Sequence, residues 1–196
     1  MPRATGPVLP GVPHHVTLRG NNYRRLFSHP RDYRHFLFLI HRHLPICDVS
    51  IHAFCLMTNH VHLLVTPENA SSLAAFIEPV AQQYAHIRHV RYETTGVLFE
   101  PRHDAVPIRS EKHLAVATAT IDLNPERGSF VVDPMRYRWS TFRVHAGYRG
   151  SEHHEDLWTP SDWYNGLGTD RYARAEAYHD WADECRLFYN RSRAAS

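Results

Sequence analysis

Several features are missing from this sequence, and each absence excludes a class of protein. Its 196 residues include no run of about 18 apolar residues, so no transmembrane helix is expected. The three cysteines, Cys47, Cys55 and Cys185, are too few and too scattered for a disulfide framework or a zinc knuckle. Residues 1–13 have no apolar stretch of the secretory type, which predicts a cytoplasmic protein.

Lysine is nearly absent as well. Lys112 is the only lysine among 22 lysine and arginine residues, and the net charge is only +2. The arginine guanidinium suits phosphates and stacks on bases, which favours a nucleic-acid partner, although a GC-rich genome would produce the same bias. Hydrophobic residues make up 43% and charged residues 21% of the chain, as is usual for a soluble globular protein.

The periodicity of the apolar residues predicts an α+β fold. The order through residue 109 is strand, helix, strand, strand, helix, strand, which is the ferredoxin-like βαββαβ arrangement of an antiparallel sheet covered by helices. Pro79 should kink the second helix or mark its true start. A third helix follows Ser110 and an extra helix closes the chain. The predicted strands cover 14–19, 48–57, 61–66 and 104–109, and the predicted helices cover 29–44, about 72–93, 111–124 and 170–190.

The same sequence patterns predict that the chain has three parts. Residues 1–12 are predicted to be a flexible N-terminal segment, and residues 13–150 form the main domain. Residues 151–196 are predicted to be a loop and a helix packed on or beside that domain.

The segment with the clearest chemistry is Asn59-His60-Val61-His62-Leu63. Alternate residues of a strand face the same side, with Cα atoms roughly 6.5–7 Å apart, so the imidazoles of His60 and His62 can converge on one metal ion. Val61 and Leu63 would then face the core. By itself the pair is equally consistent with two hydrogen-bonded strand histidines, because a chain with 17 histidines is expected to contain such pairs by chance.

The segment Met57-Thr58-Asn59-His60-Val61-His62-Leu63-Leu64-Val65 closely resembles the core motif of the HUH single-strand transposases, in the branch called REP-associated tyrosine transposases. Three further regions agree with that branch in order and spacing, and the resemblance extends over about residues 13–190. These regions are His15-Val16-Thr17-Leu18-Arg19-Gly20-Asn21-Asn22, Gly96 to Arg102, and Ile121-Asp122-Leu123-Asn124-Pro125 followed by Tyr137 to Phe142.

The resemblance implies both a fold and an activity. The fold is a ferredoxin-like sheet with the histidine pair on a central strand. The activity is nicking of single-stranded DNA beside hairpins, with Mg²⁺ or Mn²⁺ polarising the scissile phosphate and a helix tyrosine forming a 5′-phosphotyrosine bond. Asn124 is implied as a third metal ligand through its carbonyl oxygen.

The chain departs from the family at the nucleophile. The family's tyrosine lies four residues before the asparagine, and here that position is Thr120. A threonine hydroxyl is shorter in reach and far less acidic than a phenol. The protein could therefore be a domesticated hairpin-binding protein without cleavage, or Tyr84 or Tyr92 could supply the nucleophile, or a metal-activated water could hydrolyse the DNA. We expect binding without tyrosine-type cleavage.

The residues that we expect to contact DNA lie in and around the turn at residues 20–22 and at Arg102. Arginine side chains would meet phosphates, Tyr23 would stack on a base, and backbone N–H groups of the turn could also meet phosphate. The expected partner is single-stranded or hairpin DNA, with a homodimer as an open alternative. A metal hydrolase unrelated to the family is a distant rival. The predicted DNA-binding residues are Arg19, Asn21, Asn22, Tyr23, Arg24, Arg25 and Arg102.

Overall fold

A five-stranded sheet forms the centre of the molecule. The structure is a computed structural model that describes residues 3–4, 7–148 and 154–194. The strands are β1 Arg3–Ala4, β2 His14–Arg19, β3 Val49–Leu56, β4 His60–Pro67 and β5 Arg102–Pro107. Their order in the sheet is β1-β5-β2-β4-β3. The pair β1 and β5 is parallel, and the other three pairs are antiparallel.

Eight α-helices accompany the sheet within the described residues. Their order with the strands confirms the predicted ferredoxin-like arrangement and the extra C-terminal helix. No helix in this part of the chain is long and apolar enough to cross a membrane. The helices are α1 Pro30–His43, α2 Ser72–Tyr92, α3 Glu111–Asp122, α4 Asn124–Arg127, α5 Phe142–His145, α6 His154–Leu157, α7 Asp162–Gly166 and α8 Arg171–Ala194.

The strand β1 is an element that the sequence did not predict. Arg3 and Ala4 lie opposite Arg102 and His103, within the segment that was expected to be flexible. The rest of that predicted segment is only partly described, since residues 1, 2, 5 and 6 lie outside the described residues, as do 149–153, 195 and 196. The proposed division of the chain into three parts stays a prediction.

The two faces of the sheet have different roles. Val16, Leu18, Val61 and Leu63 are fully buried on the face against which α2 packs, and α1 packs against α2. The alternate residues, including His60 and His62, face α3, which lies against β3 and β4. The period of two along the strands thus separates the hydrophobic core from the polar side chains described below.

Pro79 lies within α2 rather than at its start. A proline has no N–H to donate to the carbonyl one turn earlier, which here belongs to Ala75. The thiol of Cys47 donates to that carbonyl at 3.4 Å. A side chain from outside the helix thus replaces the missing bond, and α2 extends over 21 residues.

The outer edge of β3 is occupied by later parts of the same chain. The N–H of Leu56 donates to the carbonyl of Trp139 at 2.8 Å, and the N–H of Thr159 donates to the carbonyl of Ile51 at 2.7 Å. Such cover protects an edge strand from pairing with another chain.

A buried carboxylate fastens the end of α3. Asp122 is fully buried and accepts hydrogen bonds from the hydroxyls of Thr141 at 2.7 Å and Tyr178 at 2.6 Å. The Nδ1 atom of His145 lies 2.7 Å from the same carboxylate. Two later segments of the chain, α5 with its preceding residue and α8, therefore hold α3 in place, because a buried carboxylate without these partners would be costly.

Replacing Tyr178 with phenylalanine removes one of these donors and little else. We expect Tyr178→Phe to lower the free energy of unfolding by about 1.5–3 kcal/mol, the usual range for a hydrogen bond to a charged group. The measurement is urea denaturation followed by circular dichroism. Tyr172→Phe on the same helix is the matched control, since that side chain is 77% exposed. Equal stability of the two variants would contradict this role of Asp122.

Candidate metal and DNA site

Three side chains meet at the end of β4 that faces α3. The rings of His60 and His62 are edge-to-face with centroids 4.8 Å apart. The Nε2 atom of His62 lies 3.1 Å from the side-chain nitrogen of Asn124. The predicted pair therefore converges, and the predicted third residue lies against it.

The position of Asn124 follows from the way in which α3 ends. Leu123 keeps right-handed helical backbone angles between α3 and α4, and its carbonyl accepts the N–H of Arg127 at 3.0 Å. The helical path thus continues through Asn124, one turn beyond Thr120. Thr120 is half-buried, and its hydroxyl has no hydrogen bond with any residue that the structure describes.

Burial lowers the pKa of both His60 and His62 and so favours their neutral forms. It lowers the pKa of His62 to about 3, and the nearby His15, His60 and Arg19 act in the same direction. Burial also lowers the pKa of His60, against a smaller opposing effect from Asn124. A neutral imidazole is the form that binds a metal ion.

The remaining ring nitrogens have partners of their own. The Nδ1 atom of His60 lies 2.8 Å from the side-chain oxygen of Asn59. The Nδ1 atom of His62 lies 3.0 Å from Nε2 of His15 and 3.3 Å from the hydroxyl of Thr17. Sequence reasoning assigned no role to these three neighbours. The alternation of residues along β2 could have identified His15 and Thr17, because it places both on the same face of the strand as Arg19.

This group of side chains fits a hard divalent cation. Two imidazole nitrogens face an amide that can present its oxygen after rotation by half a turn, and Mg²⁺ or Mn²⁺ accepts such ligands. Water or DNA phosphate would have to complete the coordination, because the described residues contain no group of three or more His, Cys, Asp or Glu side chains that could hold a metal. The same finding gives no support to the unrelated metal hydrolase.

The turn after β2 lies directly beside the histidine pair. Arg19 is opposite His60 in the sheet, and the N–H of Gly20 donates to the carbonyl of Asn59 at 2.8 Å. A Cβ atom on Gly20 would lie 1.9 Å from the carbonyl oxygen of Arg24, so only glycine fits. Asn22 and Tyr23 follow with left-handed backbone angles, and the Tyr23 side chain is 89% exposed.

Most of the predicted DNA-binding side chains are accessible at this end of the molecule. Arg19 is about half exposed and lies 3.4 Å from Asp104, while Arg25 and Arg102 are exposed. Arg24 donates to the carbonyl of Thr95. The backbone N–H of Gly20 donates to the carbonyl of Asn59, and that of Asn21 donates to the carbonyl of Leu98. The expectation that the N–H groups of the turn meet phosphate is therefore wrong for these two residues.

Neither tyrosine proposed as a substitute nucleophile reaches the histidine pair. Tyr84 is 1% exposed within the core, and its hydroxyl donates to the carbonyl of Leu26 at 2.7 Å. Tyr92 donates to the carboxylate of Asp32 at 2.7 Å. Both belong to α2, which lies across the sheet from His62. Helical spacing in the sequence cannot reveal this separation.

Comparison with known proteins agrees with the geometry. The family described as "Transposase IS200 like" matches residues 11–117, more than half of the chain. The chain therefore belongs to the IS200-like transposase family. A search of curated proteins finds no match.

The solved structures that are similar to this chain include two examples from different kinds of protein. A REP-associated tyrosine transposase bound to a REP hairpin shares 18% sequence identity, with a TM-score of 0.64 over 82% of this chain and 93% of the other, and thus has the same fold. A bacterial tRNA(His) guanylyltransferase-like protein in complex with GTP shares 11% identity, with a TM-score of 0.45 over 64% of this chain and 67% of the other, which carries no argument about function.

The low pKa of His62 predicts a pH dependence of stability. The unfolded chain takes up a proton on this residue below about pH 6.5, whereas the folded protein does not until about pH 3. The free energy of unfolding should therefore fall with decreasing pH in that window, by about 1.4 kcal/mol per pH unit from this residue. Urea denaturation of metal-free protein should show a shallower dependence for His62→Gln, and parallel curves would contradict the assignment.

Proposed function

We propose that this protein binds hairpin DNA together with its flanking single strand, at a divalent-metal site formed by His60, His62 and Asn124. We further propose that it does so without tyrosine-type cleavage. The observation that carries the proposal is the convergence of the Asn124 amide on the His60–His62 pair, combined with a threonine one helical turn earlier.

The proposed ligand is consistent with the surroundings of the site. Family membership favours DNA, and the structurally similar transposase is described in complex with a REP hairpin. The exposed Tyr23 and Arg25 follow Gly20, whose N–H donates to the carbonyl of Asn59, the residue before His60. An arginine there can meet phosphate, and a tyrosine can stack on an unpaired base. A stem and an adjacent single strand offer both kinds of contact.

The side chains allow binding and orientation of a phosphate, but the helix that bears Asn124 provides no phenol at position 120 to attack it. A bound divalent cation would polarise the phosphoryl oxygen. His60 and His62 would hold it as neutral ligands, and Asn124 would contribute an oxygen. The hydroxyl of Thr120 has no hydrogen bond with any residue that the structure describes, and the hydroxyls of Tyr84 and Tyr92 are occupied across the sheet.

Restoring a tyrosine at position 120 tests this account of the site. We expect Thr120→Tyr to form an SDS-resistant adduct with labelled DNA hairpins that carry randomised single-stranded flanks, in the presence of Mn²⁺. The phenol would then occupy the family's nucleophile position, on the helix that bears Asn124. The wild-type protein should bind the same DNA and form no adduct.

The controls separate the alternatives. Thr120→Tyr combined with His62→Ala should form no adduct, because the metal site is lost. An adduct with the wild-type protein would overturn the proposed absence of tyrosine chemistry. Nicking without an adduct would instead indicate an activated water. Tight binding by Thr120→Tyr with no adduct would count against the assignment of this helix position.

The salt dependence of binding tests the role of the turn. We expect Arg25→Gln to weaken hairpin binding and to reduce the slope of log K against log salt by about 0.7–0.9, the contribution of one phosphate contact. Fluorescence anisotropy at several salt concentrations measures both effects. Arg42→Gln is the matched control, because Arg42 is also exposed but lies near the far end of α1. Equal slopes for the two variants would place the DNA elsewhere.

A further inference from the structure

We infer that His15 is a positioning residue, which holds His62 in the tautomer with its proton on Nδ1 and so leaves Nε2 free for a metal ion. The inference rests on the proposed metal site. It concerns a side chain on a different strand, which has no proposed contact with either metal or DNA.

Both ring nitrogens of His62 have close neighbours, and the two sides differ. Nε2 faces the amide of Asn124 at 3.1 Å, on the side of the proposed metal. Nδ1 faces Nε2 of His15 at 3.0 Å. A histidine that binds a metal through one nitrogen normally donates its other N–H to a fixed acceptor.

One proton lies between the two imidazoles. In the 3.0 Å contact between Nδ1 of His62 and Nε2 of His15, one nitrogen must donate and the other must accept. If the proton belongs to His62, His15 accepts the bond and Nε2 of His62 has a free lone pair. If it belongs to His15, the proton of His62 lies on Nε2 and blocks that atom as a ligand. The contact therefore selects between a binding and a non-binding form of His62.

The surroundings favour the binding form. His60 has the same arrangement, with Nδ1 2.8 Å from the side-chain oxygen of Asn59, so both rings are held from the Nδ1 side. Thr17 also lies near Nδ1 of His62, at 3.3 Å, but a hydroxyl can donate or accept and thus selects neither tautomer. The side-chain nitrogen of Asn124, 3.1 Å from Nε2 of His62, can only donate, so Nε2 accepts and the proton of His62 lies on Nδ1, where His15 accepts it.

The register of the sheet explains how His15 reaches His62. Thr17 is directly opposite His62, so His15 lies one diagonal step along the same face. Diagonal neighbours on adjacent strands are within reach of large side chains. The rings of His15 and His62 are tilted at 47° with centroids 5.1 Å apart, close enough for the nitrogen contact.

The experiment reads the tautomer directly. Two-bond ¹H–¹⁵N correlation spectra of metal-free protein distinguish a proton on Nδ1 from one on Nε2. We expect wild-type His62 to carry its proton on Nδ1. In His15→Leu, we expect a mixture of tautomers and a 10- to 100-fold weaker affinity for Mn²⁺, measured by electron paramagnetic resonance, as is typical for loss of such a partner.

Two conservative variants give the matched comparison. The amide of His15→Gln reaches the place of Nε2 and should restore both the tautomer and the Mn²⁺ affinity. The amide of His15→Asn reaches only the place of Nδ1 and should restore neither. A structural role of His15 would not separate these two variants.

The outcomes for the inference and for the metal site are distinguishable. Wild-type His62 with its proton on Nε2 would overturn the inference, and this result needs no variant to fold. An unchanged tautomer and unchanged Mn²⁺ affinity in His15→Leu would also overturn it. A tautomer that depends on His15 in a wild-type protein that binds no Mn²⁺ would support the positioning role and refute the proposed metal site.

Discussion

The contact between Asn124 and His62 joins the sheet to the helices α3 and α4, and the candidate site depends on this contact. One partner lies on β4, whose register with β2 fixes the direction of both histidines. The other begins α4, at the end of a helix packed against the same face of the sheet. Because the amide and the imidazole lie only 3.1 Å apart, a small shift of α3 along the sheet would separate the two kinds of proposed metal ligand. The fold therefore has to control the position of this helix closely.

That control comes from a buried anion rather than from hydrophobic packing alone. Asp122, two residues before Asn124, accepts hydrogen bonds from segments that lie far along the chain, including Tyr178 on α8. The C-terminal helix also holds α4 from outside, through an ion pair between Arg186 and Glu126 at 2.8 Å. Part of the chain beyond the family match thus positions a residue of the proposed metal site. Directional bonds to a charged group define one position of the helix better than apolar contacts do.

Much of the fold follows from sequence patterns, whereas the details of the site depend on contacts distant in sequence. Alternation in the segment 59–64 predicted the histidine pair and its buried neighbours Val61 and Leu63, and helical periodicity predicted α1 and α2 nearly to their ends. The parallel strand β1 was missed because two residues carry no periodic signal. Tyr84 was proposed as a nucleophile because apolar spacing does not say which side of the sheet a helix covers. The contact of His15 with His62 requires the β2–β4 register, which no local pattern fixes.

The central claim is that His60, His62 and Asn124 bind one divalent cation beside hairpin DNA. It is tested most directly by anomalous X-ray scattering from crystals of the protein grown with a DNA hairpin and Mn²⁺. The account predicts one manganese peak between Nε2 of His60, Nε2 of His62 and the side-chain oxygen of Asn124, with a DNA phosphate oxygen on its open side. A hairpin bound with no manganese between these three side chains, or with manganese only at another place, would contradict it.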